Sequence, residues 1–259
     1  MMGTHPRPVL RPHVAPAPAH GEIQERRDPS RRRHQTRGRL RRLWCRHGLS
    51  LTLFGLFAVC LLGQSITGHR DYNADRQAHG HSPLGYGAYL RTGHFLEAVA
   101  ENWESEFLQM AAYILLTVGL RQKGAPESKK LDQEEPVDAA PHRSADPHAP
   151  WPVRRGGFLL TLYAHSLTLA LGGLFGLSFL LHASGGVLHY NAEQLTHGES
   201  PITLLQYLGT SAFWFESLQN WQSEFLALGV MLVLSVVLRQ QGSPVSKPVA
   251  SPHDETGHA

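Results

Sequence analysis

Two copies of a short polar motif carry the residues best able to do chemistry in this chain. Residues 102–107 read Asn-Trp-Glu-Ser-Glu-Phe, and residues 220–225 read Asn-Trp-Gln-Ser-Glu-Phe. Each copy is followed by an apolar run that ends in Leu-Arg-Gln, so Glu106 and Glu224 would lie near one end of a membrane-crossing helix. Intramembrane carboxyl groups are rare and often mark proton or ion pathways. These two acids are therefore candidates for a polar site inside the membrane.

Helical spacing predicts the other members of this site. At about 100° per residue, Asn102, Ser105 and Glu106 share one arc of a helix, and aromatic side chains occupy the next arc. Gln64 and His182, at matched positions in the preceding helices, are placed to bond the motif carboxyls. The predicted intramembrane site consists of Asn102, Ser105, Glu106, Gln109, Glu216, Asn220, Ser223, Glu224, Gln64 and His182. The predicted interfacial aromatic residues are Trp103, Trp221, Tyr72 and Tyr190.

The two motifs belong to a longer tandem duplication. An offset of 118 residues, without a gap, also pairs Tyr72-Asn73-Ala74 with Tyr190-Asn191-Ala192 and Ser82-Pro83 with Ser200-Pro201. Each Ser-Pro pair predicts the start of a short interfacial helix. The sequence thus predicts two equivalent halves.

Four apolar runs predict four membrane spans, although the mean hydropathy of −0.24 hides them behind polar tails. Residues 49–66 and 158–181 approach or exceed the ~20 residues that a span needs. Residues 107–120 and 225–238 hold fourteen residues each, which reach only about 21 Å of the ~30 Å of hydrocarbon. These two helices must therefore begin at the polar motifs and draw them into the bilayer.

The predicted fold is all-α: a polytopic membrane protein with four transmembrane helices in two tandem two-helix repeats, and short interfacial helices in the outer loops. The predicted segments are a disordered Arg/Pro/His-rich tail over 1–40, a first repeat over 41–123 with helices at about 47–68 and 94–121, a cytoplasmic linker over 124–156, a second repeat over 157–241 with helices at about 158–183 and 212–239, and a disordered tail over 242–259.

Charge asymmetry predicts the orientation. Lys and Arg concentrate in the N-terminal flank and the linker, and none occurs between Gly156 and Leu238. The positive-inside rule then places both termini in the cytoplasm. The Arg-rich flank is expected to contact anionic lipid, and nucleic-acid binding is not expected, because no recognition motif accompanies the charge.

The histidines offer a different chemistry. His79, His81 and His197, in the two outer loops, are candidate ligands for zinc or copper. Their spacing matches no established ligand pattern, and His79 and His197 equally fit turns before the Ser-Pro pairs. No cofactor is predicted, and the sequence lacks the common motifs of nucleophilic and phosphate-binding enzymes.

The duplicated motif, the Tyr-Asn-Ala loops and the Leu-Arg-Gln helix ends resemble an uncharacterised family of bacterial membrane proteins, a domain of unknown function, over residues 47–130 and 157–247. The resemblance implies a protein of the bacterial inner membrane and no activity. The expected function is a structural or interaction protein of the bacterial envelope, with the bilayer and either a second copy or another membrane protein as partners. The alternatives are a small transporter or proton or cation pathway through Glu106 and Glu224, and metal binding on the outer face.

Overall fold

The computed structural model describes the backbone of residues 29–257 and, within that range, the side chains from residue 41 onward. All its regular elements are helical, which confirms the all-α class. The helices are α1 (Pro29–Ala78), α2 (Tyr86–Tyr89), α3 (Gly93–Gly119), α4 (Trp151–Arg155), α5 (Gly157–Ala164), α6 (Ser166–Thr196), α7 (Leu204–Tyr207) and α8 (Ser211–Val237), with one 3₁₀ turn at Pro136–Asp138. The unit described below comprises residues 62–259.

Within the described part of the chain, three helical segments are long and apolar enough to cross a membrane: Arg41–Ala78, Ser166–Thr196 and Ser211–Val237. Helix α3 has the same length as α8, 27 residues, but differs in composition. Its first half carries four glutamates, at positions 97, 101, 104 and 106. These acids lower its hydropathy below that of the other three.

The long helices α1 and α6 continue past the ends expected from the apolar runs, at about 68 and 183. Polar side chains on the extensions hold the following loops. The Asn73 amide donates to the carbonyl of Leu84 and accepts from its N–H, at 2.9 and 2.7 Å. Asn191 makes the same pair of hydrogen bonds with Ile202, at 2.9 and 2.8 Å. The predicted third helix is also interrupted, because His165 separates α5 from α6 with φ −110° and ψ 8°.

The short helices α2 and α7 begin later than the Ser-Pro pairs predict. Gly85 precedes α2 and makes no side-chain cap. Thr203 caps α7, and its hydroxyl and the Gln206 side chain form a reciprocal capping box. The predicted helix starts at Ser82 and Ser200 are therefore wrong, because the chain at both sites has no regular secondary structure for some residues beyond the proline.

Parts of the two tails predicted to be disordered are ordered. The backbone of residues 29–40 is helical within α1, whereas 1–28 and 258–259 lie outside the described residues. Residues 242–257 fold back on the linker, where the Thr256 hydroxyl accepts from the Gly124 N–H at 2.8 Å. The Lys247 ammonium donates to the carbonyls of Pro252, His253 and Glu255, which fixes a compact turn.

Glycines bring α3 and α6 into close contact. A Cβ added at Gly185 on α6 would lie 2.6 Å from the backbone nitrogen of Glu97 on α3, so only a hydrogen fits there. A Cβ added at Gly93 on α3 would in turn lie 2.7 Å from the His189 nitrogen. Beside this contact, Ala183, Tyr207 and Phe213 form a buried apolar cluster. The polar residues of α3 and α6 therefore face each other inside the protein.

Candidate metal centre

Three glutamates on α3 point toward α6. Glu97, Glu101 and Glu104 are four and three residues apart, a spacing that places them on one face of a helix. Glu97 is 7% exposed and Glu104 is 0% exposed. Burial of ionisable groups is costly unless they are paired or bind a metal, so the two buried acids, Glu97 and Glu104, require partners.

Glu104 is fully paired. Its Oε2 lies 2.7 Å from Nδ1 of His182 on α6, and its Oε1 accepts a hydrogen bond of 3.0 Å from the indole nitrogen of Trp221 on α8. An ionised carboxylate only accepts, so Nδ1 of His182 carries the hydrogen. In the neutral ring, Nε2 of His182 then presents a lone pair.

That second nitrogen of His182 is buried and makes no hydrogen bond with any described residue. Oε2 of Glu216 on α8 lies 3.5 Å from it. Two donors bound at about 2.0–2.1 Å to a tetrahedral metal ion are separated by about 3.4 Å. The His182–Glu216 distance of 3.5 Å is thus close to the separation of two ligands on one ion, and it is long for a hydrogen bond.

Glu97 completes a group of three. One ligand atom each from Glu97, His182 and Glu216 lies within 4.8 Å of the others, so these three side chains could hold one metal ion together. The set contains one imidazole and two carboxylates, which suits divalent zinc and its first-row neighbours. We call Glu97, His182 and Glu216 the buried triad; its third member, Glu216, has a side chain that is 37% exposed.

Surrounding residues orient the triad. The Tyr207 hydroxyl lies 3.1 Å from Oε1 of Glu97 and 3.3 Å from Oε2 of Glu216 and shares its hydrogen between them. Burial, and then the carboxylates of Glu97 and Glu216, raise the pKa of Tyr207, so this residue remains a donor. Nδ1 of His189 lies 2.7 Å from Oε2 of Glu97. Glu104, which bonds the far side of the His182 ring, stands where histidine ligands of metals commonly have a carboxylate.

The residues of the predicted intramembrane site divide into two groups. His182 and Glu216 are in the buried triad. The others mostly bond the backbone: Asn102 donates to Ala98, Ser105 to Asn102 and Ser223 to Asn220 within their own helices, Gln64 donates to Ala98, and Gln109 donates to Glu224.

The two motif acids lie outside the triad. Glu106 is exposed and Glu224 is half-buried. Their carboxyl groups are close enough to interact electrostatically, on the adjoining helices α3 and α8. Gln64 donates to a backbone carbonyl at 3.0 Å, not to a motif carboxyl.

The predicted interfacial aromatics have varied surroundings. Trp221 donates to Glu104, whereas Trp103 is half-buried on α3. The rings of Tyr72 and Tyr190 pack against Tyr89 and Tyr207, with centroids 5.6 Å apart in both pairs.

The histidines predicted as ligands lie elsewhere. His79, His81 and His197 line one open groove, with the ring of His189 in its wall. They do not belong to the buried triad.

Glu97 and Glu104 were absent from the predicted site, although a signal for them exists. The predicted site rests mainly on residues that occur at matched positions in both halves. At an offset of 118, Glu97 corresponds to Phe215 and Glu104 to Gln222, so neither is matched. The one-face spacing of Glu97, Glu101 and Glu104, and the seven-residue separation of His182 and His189, are the patterns that identify them.

Comparison with known proteins gives a family and no activity. The profile described as Domain of unknown function (DUF6766) matches residues 40–258. No curated protein matches the chain. No solved structure matches it.

Proposed function

The chain belongs to the family described as Domain of unknown function (DUF6766), and we propose for it the function that its buried site supports: binding of one divalent transition-metal ion inside a helical membrane protein. The observation that carries the proposal is Nε2 of His182, a buried nitrogen without a hydrogen-bond partner among the described residues, 3.5 Å from a Glu216 oxygen. Glu104 fixes the opposite nitrogen of the same ring at 2.7 Å.

The charge of the site supports a cation. Glu97, Glu104 and Glu216 bring three carboxylates to one region, and their hydrogen-bond and ion-pair partners among the described residues are histidine, tyrosine and tryptophan rather than lysine or arginine. Three donor atoms from the protein would leave coordination positions for water or a substrate, as in catalytic zinc sites. Buried charges in proteins are paired or coordinate metals.

We further propose four spans in two tandem hairpins of the bacterial inner membrane, with both termini cytoplasmic. Helix α3 would be the fourth span, since its acids Glu97 and Glu104 turn toward α6 and α8 rather than toward lipid. Matched contacts support the duplication. The hydroxyls of Thr92 and Thr210 accept from the N–H groups of Phe95 and Phe213 at the starts of α3 and α8. The equivalent hydrogen bonds of Asn73 and Asn191 described above support it too. The Lys and Arg asymmetry supports the orientation.

The test is the metal content of detergent-purified, full-length protein carrying a tag without histidine. After equilibration with Zn²⁺ and removal of loosely bound ions, the wild type should retain one ion more per chain than Glu216→Gln or Glu97→Gln. Glu106→Gln and Glu224→Gln are the matched controls and should retain the wild-type content. Co²⁺ in place of Zn²⁺ should give visible absorption bands that the two triad variants lack.

A structural role is the second candidate, and one observation favours it. His182 in its protonated form would bridge Glu104 on α3 and Glu216 on α8 and hold the helices together without an ion. Equal metal content in the wild type and both triad variants would reject metal binding and leave this structural or interaction role. The transporter hypothesis for Glu106 and Glu224 stays a prediction, tested by the same Gln variants in a transport assay.

A further inference from the structure

An open groove of about 390 Å³ lies beside the end of α1 and the end of α6. Four imidazoles line it, from His79 and His81 after α1 and from His189 and His197 on and after α6. Asp75 and Glu193 also line it, together with Tyr72, Arg76, Ala192 and Thr196. The groove therefore presents nitrogen and oxygen donors of the kind that bind borderline divalent metals.

Two of these histidines are held in the same tautomer. Nδ1 of His79 lies 3.0 Å from the carbonyl of Asp75, and Nδ1 of His197 lies 3.0 Å from the carbonyl of Glu193. A carbonyl only accepts, so Nδ1 carries the hydrogen in both rings. In the neutral rings each Nε2 then bears a lone pair, and neither Nε2 makes a hydrogen bond within the described part of the chain. These two atoms are available to a metal ion.

His189 connects the groove with the buried triad. Its side chain is 28% exposed in the groove wall, and its Nδ1 lies 2.7 Å from Oε2 of Glu97, whose side chain is 10% exposed. On the groove side, its Nε2 lies 3.6 Å from Oε1 of Glu193. One ring thus touches an acid of the groove and an acid of the triad.

We propose that this groove is the entry site for the divalent metal ion, captured by His79 and His197 and passed along His189 to Glu97. The inference rests on the metal centre proposed above. It assigns the groove histidines a part in the rate of metal loading and none in the final occupancy, because the final ligands are those of the triad.

The experiment measures loading of the metal-free, full-length protein with Co²⁺ by stopped-flow absorption, alongside the final Co²⁺ content. The double variant His79→Ala/His197→Ala should load at least tenfold more slowly than the wild type and reach the same content and affinity. His148→Ala is the control, since this exposed histidine lies in the linker away from the groove, and it should load at the wild-type rate.

Each other outcome overturns the entry role. Unchanged loading in the double variant would show that the ion enters elsewhere. A reduced final content or affinity would make the groove residues ligands rather than an entry route. Failure of the centre itself is distinguishable, since the wild type would then take up no more Co²⁺ than Glu216→Gln.

Discussion

The chemistry of the buried site depends on the orientation of the His182 ring, which is hydrogen-bonded through one of its two nitrogens. Glu104 bonds Nδ1 of His182 at 2.7 Å and thereby decides which nitrogen faces Glu216. Trp221 fixes Glu104 in turn, at 3.0 Å. Such an outer carboxylate orients the imidazole and raises its basicity as a ligand.

Replacing Glu104 therefore tests the orientation of the ring without removing a ligand. Glu104→Gln should lower metal affinity by about ten- to a hundredfold, the usual effect of losing an outer-shell carboxylate. Competition with a chelator of known affinity gives the measurement. Glu106→Gln, the exposed acid of the same motif, should leave affinity unchanged; an equal loss in both variants would contradict the assignment.

Two glycines at matched positions, Gly186 and Gly68, provide a test variant and its matched control. A Cβ at Gly186 would collide with the Tyr207 hydroxyl and lie 2.7 Å from Oε1 of Glu97, whereas a Cβ at Gly68 would collide with the Tyr89 hydroxyl. Gly186→Ala should abolish metal retention because it displaces Glu97 and Tyr207. Gly68→Ala should perturb its own tyrosine and leave retention intact. Metal analysis of both purified variants decides, and loss in both would contradict the specific role of Glu97 and Tyr207 in the site.

Residue spacing in the sequence predicts two members of the triad, His182 and Glu216, but not the third, Glu97. His182 and Glu216 were predicted as polar residues inside the membrane, but no pattern linked them to each other. The triad is asymmetric: at the offset of 118, His182 corresponds to Gln64 and Glu216 to Ala98. Because the site is present in only one copy, comparison of the two sequence halves does not reveal it.

At the scale of elements, the site requires α3 and α6 to pack so closely that only glycine fits at their contact. Gly185 faces the backbone of Glu97, where a Cβ would lie 2.6 Å from nitrogen and 3.0 Å from Cα. Small residues allow this close packing between membrane helices. The glutamates of α3 can then reach histidines on α6.

Gly185→Ala should separate these helices. Overpacking of this kind costs about 1–3 kcal/mol, so the melting temperature in detergent should fall and metal retention should weaken. Gly172→Ala on the same helix is the control, because nothing lies within 4 Å of its added Cβ. Equal melting temperatures for the two variants would contradict the close-packing argument.

The helical class follows from the apolar runs, since runs of this length can satisfy their backbone only as helices in lipid. The details outside those runs do not follow. Asn73 and Asn191 extend their helices through bonds to distant backbone, and the Thr256–Gly124 bond joins residues far apart in the chain. Contacts made by single polar side chains do not produce a repeating pattern in the sequence, so they cannot be predicted from periodicity.

For the whole molecule, the proposed orientation predicts which loops face outward. With Cys45 and Cys60 replaced by serine, a cysteine introduced at Glu199 should react with an impermeant thiol reagent in intact cells. A cysteine at Asp132 in the linker should react only after permeabilisation. Labelling is read by mass shift, and reaction of both positions in intact cells would contradict the four-span topology.

The triad draws its members from both sides of the linker: Glu97 precedes it, and His182 and Glu216 follow it. A cut in the linker at Ala145 would leave Glu97 on one fragment and His182 with Glu216 on the other. Neither fragment alone should retain the ion, whereas co-expression of the two should restore it. Ion retention would then act as a complementation readout, in which a signal reports that the two pieces have reassembled.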